Sequence, residues 1–133
     1  MDRLFLDANV LFSAAYKTDT ALLQLWKLKG VALFSSRYAL EEARINLTDE
    51  DQRVRLNQLS GALHVFEAGQ KTVLRGISLP EKDLPILLAA VEARATHLLT
   101  GDIRHFGPYI GKKIEGIEIT LPGEYIRRHS SKT

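Results

Sequence analysis

The sequence predicts an α/β fold of three layers, a central and mostly parallel sheet flanked by helices. Three observations predict it. Short apolar runs at residues 3–6, 31–34, 63–66, 96–100 and 117–121 read as buried strands. Stretches with helical spacing alternate with these runs, which is the pattern of parallel βα units covered on both faces. The composition is that of an ordinary globular protein, 45% hydrophobic and 26% charged over 133 residues. One domain is therefore expected over residues 1–128, with 129–133 as a frayed tail.

The elements follow in order. The first run ends on Asp7. In "DTALLQLWKLKG", Leu22, Leu25, Trp26 and Lys29 make a helical stripe, Asp19 or Thr20 can cap it, and Gly30 suits its exit. After the run at 31–34, Ser35 and Ser36 can cap a helix through "RYALEEARINL". Thr48 opens a polar helix, "DEDQRVRLNQLSGAL", with Val54 and Leu59 pointing inward. The run at 63–66 is a weak strand, and "EAGQKTVLRGISLPEK" is irregular. The clearest helix spans residues 83–95, where Leu84, Leu87, Leu88, Val91 and Ala95 share one face and Pro85 sits in the first turn. The strand at 96–100 leads into a loop, "GDIRHFGPYIGKKIEG". A last strand at 117–121 and a closing helix at 122–128 finish the domain.

Charge and cysteine content narrow the chemistry. The chain carries 18 basic and 16 acidic side chains, a net +2 that permits a nucleic-acid partner where the bases cluster but does not require one. It has no cysteine, so any metal must be held by oxygen or imidazole. The start "MDRLFLDANV" has no basic leader with a long apolar stretch, and no run of about 18 apolar residues occurs, so a cytoplasmic protein without membrane association is expected.

In parallel sheets the carboxyl ends of the strands form the binding edge. Asp7 and Asp102 both lie just past such an end. Asp83 opens a helix that runs back over the sheet, so its N-terminus reaches the same rim. Glu41 and Glu42 lie in the first turns of the helix after the second strand, at that rim too. Each position alone suits a turn, a cap or a solvated face. Together they crowd carboxylates whose repulsion raises one another's pKa, and a hard divalent cation relieves it. Mg²⁺ or Mn²⁺ takes oxygen ligands and can activate water for phosphodiester cleavage.

The chain resembles the PIN-domain family of metal-dependent nucleases, which includes toxins of virulence-associated type II toxin–antitoxin pairs. The resemblance rests on "FLDANVLFSA", "LEEARINL" and "KDLPILLAAVEARATHLLTGDIRHF", in that order from Phe5 to Phe106. It implies that Asp7, Glu42, Asp83 and Asp102 hold the metal and do the catalysis. Helical phase does not separate Glu41 from Glu42; the family spacing, an acid followed by a small residue and by Leu five positions on, fits Glu42 with Ala43 and Leu47. The resemblance also implies that Asn9 orients a ligand carboxylate and that Thr100 bonds the site. It implies RNA as substrate, an antitoxin protein as partner, and a homodimer. The apolar surplus of Phe12, Tyr16, Leu22, Leu25 and Trp26 offers either a dimer patch or core filling.

Arg104 and His105 follow Asp102 directly, so contact with substrate is expected of them. Arg37, Arg44, Lys112 and Lys113 are further cations near the same features. The leading expectation is an endoribonuclease. The alternatives are a catalytically inactive PIN module binding RNA or protein, a receiver-like signalling domain, and another phosphate hydrolase. A receiver would want paired acids after the first strand and a Lys near the last; the first strand here ends in one Asp.

Overall fold

The computed structural model describes residues 1–67, 79 and 83–130. Six strands form one sheet: β1 (Asp2–Leu6), β2 (Val31–Ser36), β3 (His64–Phe66), β4 (His97–Leu99), β5 (Lys113–Ile114) and β6 (Ile117–Thr120). Their order is β3-β2-β1-β4-β6-β5, and every pairing is parallel except that of β5 with β6. Six helices cover it: α1 (Ala8–Tyr16), α2 (Arg37–Asn46), α3 (Glu50–Ser60), α4 (Leu84–Glu92), α5 (Ile103–Phe106) and α6 (Pro122–Ser130). The expected three-layer architecture is what forms. Leu4, Phe5 and Leu6 are consecutive and all fully buried. Since neighbouring strand residues point to opposite faces, the middle of the sheet is covered on both sides.

Several elements differ from expectation. α1 was not expected: "ANVLFSAAY" has no charged residue to mark a polar face, and it buries Val10, Leu11, Ala14 and Ala15. Residues Ala21–Lys27 form a 3₁₀ helix, with the Thr20 hydroxyl accepting from the Leu22 N–H as its cap. Leu25 there is fully buried, Leu22, Trp26 and Phe12 pack against the core, and the Trp26 ring N–H donates to the Leu59 carbonyl at 3.0 Å. Of the apolar surplus only Tyr16 stays exposed, so most of it fills the core.

In α3 Gln52 and Leu56 are buried and Leu59 packs against the core as expected, whereas Val54 faces solvent. α4 ends at Glu92 and buries Ile86, Leu87, Ala89 and Ala90. Its face is thus rotated from the stripe of large residues toward alanines, which allow a close approach to the sheet. The loop after β4 holds α5, a 3₁₀ turn at Gly107–Tyr109 and the short edge strand β5. Of the irregular stretch 67–82, only residues 67 and 79 fall among those described.

Two contacts tie the far end of the sheet. The Arg3 guanidinium donates to the Ala93 and Arg94 carbonyls where α4 turns into β4. The Tyr125 hydroxyl of α6 donates to Asp2 at 2.6 Å, and the Tyr125 ring stacks on His129. The closing helix therefore runs past residue 128 through Ser130; residues 131–133 of the expected tail lie outside those described. No helix among the described residues is long and apolar enough to cross a membrane.

Candidate metal centre at the carboxyl edge

The strand order reverses direction at β1 and β4. From β1 the chain builds outward to β2 and β3; from β4 it builds the other way to β6 and β5. The connections on the two sides diverge there and leave a crevice at the carboxyl ends of these strands. Asp7 stands at the end of β1 and Asp102 three residues past the end of β4.

Asp7 is buried, at 4% exposure, at the N-cap of α1. One carboxylate oxygen accepts the Ala8 N–H at 2.6 Å. The other accepts the Thr100 hydroxyl at 2.7 Å and the Asn9 amide at 3.0 Å. The opposite end of the Asn9 amide accepts the Gly101 N–H at 2.8 Å, and Thr100 accepts the Asp102 N–H at 3.1 Å. Asn9 and Thr100 thus lace the β1–α1 turn to the β4–α5 turn. Gly101 fits closely: a Cβ there would lie 3.3 Å from the Asn9 side-chain oxygen, which would have to give by a few tenths of an ångström.

These bonds favour the Asp7 carboxylate, yet burial dominates. Desolvation, with repulsion from Asp83 and Asp102, pushes its pKa up to about 6. A buried acid beside two others gains most from a neighbouring cation.

Asp83 sits at the N-cap position of α4 but its side chain does not cap the helix. It is 7% exposed, and its carboxylate lies 2.8 Å from the His105 ring nitrogen Nδ1. The same Nδ1 lies 2.8 Å from Asp102. Asp102 caps α5 through the His105 N–H. One donor atom from each of Asp83, Asp102 and His105 falls within 4.8 Å of the others, close enough for one cation. The carboxylates and the imidazole form a hard to borderline donor set, and a divalent cation fits it.

The fourth acid comes from α2. Glu42 lines the same cleft of about 400 Å³ as Asp7, Asp83 and Asp102. Glu41 instead turns outward, where Arg44 pairs with it and holds its carboxyl below the ordinary range. Tyr38, one turn before Glu42, has its hydroxyl pKa pushed up by burial and by Glu42, Asp83 and Asp7.

The expected substrate cations are placed unevenly. His105 is drawn in between two acids, so its nearest partners are carboxylates. Arg104 is exposed one residue before it. Arg37 pairs with Glu67, and Lys112 and Lys113 are exposed near the β5 edge. Phe12, Asn46 and Ala43 also line the cleft, and nothing in the acid motifs pointed to them. For Asn46 the signal was available in helical spacing, four residues after Glu42; for Phe12 it was not, because α1 carries no polar face to mark it as a helix.

No family model and no curated protein sequence matches the chain. Among solved structures, a chain of VapBC2 from Rickettsia felis, crystallised with a DNA fragment from the complex's promoter, matches with a TM-score of 0.68. The match covers 90% of this chain and 98% of that one, at 19% identity. The fold is PIN-like. At this identity the likeness is one of architecture, and it spans nearly all of both chains. The carboxyl-edge crevice of the PIN-like sheet is where this chain gathers its acids.

Proposed function

We propose that this PIN-like domain, over residues 1–128, is a Mg²⁺- or Mn²⁺-dependent endoribonuclease and acts in the cytoplasm as the toxin of a toxin–antitoxin pair. The observation that carries the reading is the convergence of Asp7, Glu42, Asp83 and Asp102 on one cleft, with Asp7 buried and its pKa raised to about 6. Those acids would hold the cation, with His105 as a further donor. A hard divalent cation there supplies Lewis acidity at phosphate oxygens and lowers the pKa of water.

The protein's own part is positioning. Thr100 and Asn9 fix the Asp7 carboxylate, and the Asp102 cap of α5 sets the His105 ring beside Asp83. Arg104, exposed and two residues after Asp102, would meet the substrate backbone. An antitoxin as protein partner is supported by the architecture shared with a chain of the VapBC2 complex.

The test is cleavage of single-stranded RNA with Mn²⁺, by wild type and by Asp7→Asn, Asp83→Asn and Asp102→Asn. Wild type is expected to cleave, and each variant to lose activity while keeping its fold. Cleavage that survives a chelator, or that the variants retain, would refute the proposal, and retention of RNA binding without any cleavage would favour the inactive module.

A further inference from the structure

The cleft does not stop at the acids. α1 starts where β1 ends and α2 where β2 ends, and these strands are parallel neighbours. The two helices therefore run side by side away from the rim, packed on each other. Helical spacing sets Ala8 and Phe12 in line on α1, and Glu42 and Asn46 in line on α2. All four line the cleft, with buried Ala43 beside them. One turn along from Ala8 and Glu42, then, an aromatic ring and a primary amide line the same cleft, with Ala8 and Ala43 between the larger groups.

Both groups are held in place. The Phe12 ring is half-buried and stacks on Tyr16, with centroids 5.4 Å apart and planes at 26°. The Asn46 amide nitrogen donates to the Glu42 carbonyl at 2.9 Å. A backbone carbonyl can only accept, so the amide must turn its nitrogen to the helix and its oxygen outward. The groove thus offers the part of the Phe12 ring that lines it, apart from the face stacked on Tyr16, and a hydrogen-bond acceptor.

We propose that this groove is a nucleobase subsite, in which a base flanking the scissile phosphate stacks on Phe12 and gives a hydrogen bond from an exocyclic amino group to Asn46. The inference rests on the nuclease reading for its substrate class and adds a base preference to it. Adenine, cytosine and guanine carry such an amino group. Uracil presents a carbonyl where cytosine has its amine, and a carbonyl facing the Asn46 oxygen is repelled.

Cytidine and uridine hexamers test this, because they stack alike and differ at that edge. Binding is read by fluorescence anisotropy on the full chain, with Ca²⁺ in place of Mg²⁺ or Mn²⁺ to suppress turnover. The cytidine hexamer is expected to bind about five-fold tighter than the uridine hexamer. Phe12→Leu is expected to weaken both by about ten-fold. Asn46→Leu should erase the difference between them, and Asn46→Asp, which keeps an acceptor, should retain it. Asn46 is exposed, so its variants fold, and a thermal melt checks Phe12→Leu. Equal binding of the two hexamers by wild type, or a preference untouched by Asn46→Leu, would overturn the subsite. Failure of the nuclease reading looks different: no Mn²⁺-dependent cleavage, with the cytidine preference in binding intact.

Discussion

Replacing Asp7 by asparagine is expected to stabilise the metal-free protein at neutral pH, although it removes a hydrogen-bonded residue from the core. The wild-type carboxyl has a pKa of about 6 in the fold, against an ordinary value of 3.8. The folded state therefore holds a proton on Asp7 between these values that the unfolded chain has released. Stability falls as pH rises through that window, and the carboxylate costs the fold about 3 kcal/mol by pH 7.5 but well under 1 kcal/mol at pH 4. Asparagine does not ionise and escapes this cost. It cannot, however, accept from Ala8 on one side and from both Thr100 and Asn9 on the other. One mismatched contact costs about 1–2 kcal/mol at any pH. The net expectation is a gain of about 1–2 kcal/mol at pH 7.5 and a loss of similar size at pH 4, reversing sign between. Urea unfolding with a chelator present, at pH 4, 5, 6 and 7.5, measures it. A variant less stable than wild type by one constant amount across the series would refute the reasoning, because burial and repulsion would then not govern Asp7.

Titrating Mn²⁺ or Mg²⁺ should raise the wild-type melting temperature, by about 2.7 kcal/mol of stability at a hundredfold excess over Kd, and Asp102→Asn should blunt the rise; a wild type that does not respond removes the metal centre. Thr100→Val keeps the shape and removes the hydroxyl that donates to Asp7 and accepts from Asp102. It should cost about 1–3 kcal/mol and move the neutral-side loss of stability to higher pH, read from the same urea series. Tyr125→Phe deletes the hydroxyl that holds the Asp2 carboxyl below its ordinary range. A depressed acid stabilises the fold above its unfolded pKa and loses that contribution as pH falls, so the variant should be weaker by about 1 kcal/mol at pH 7 and nearly equal to wild type by pH 3. Light scattering across a wide concentration range checks the homodimer that the resemblance implies, and a monomer throughout would remove it.

Five of the strands were legible because each is a short apolar run cut off by a polar residue or a proline, and their alternation with helices gave the layers; β5, two residues inside a loop, left no such run. The rim position of Asp83 followed from the direction a helix must take to feed a parallel strand. What the sequence hid has physical causes. α1 is apolar on nearly every side, so it carries no amphipathic period. In α4, periodicity found Leu87 but also drew attention to Leu84, Leu88 and Val91, whereas Ile86 and two alanines, which count for little in a hydrophobic pattern, complete the fully buried face. His105 was expected to meet substrate because α5 read as loop. As a one-turn helix, α5 instead folds residue 105 back over residue 102, and the ring lands between two acids. Glu41 and Glu42 could not be told apart by phase; what separates them is that Arg44, three residues on in the same helix, pairs with Glu41 and leaves Glu42 to line the cleft.

The reversal of strand order at β1 and β4 also divides the site along the chain. Asp7, Asn9 and Glu42 come from the part that is synthesised first; Asp83, Thr100, Asp102 and His105 come from the part synthesised last. The hydroxyl that fixes Asp7 belongs to a residue 93 positions later. A chain still emerging from the ribosome, or one released early, presents only half of the acids, with one flank of β1 bare. On the proposed nuclease reading, competence would arrive with the last third of translation, and incomplete copies would be harmless to the machinery making them. It also means that two separately expressed pieces, split within residues 68–78, should each be inert and should regain the cleft only on reassociation.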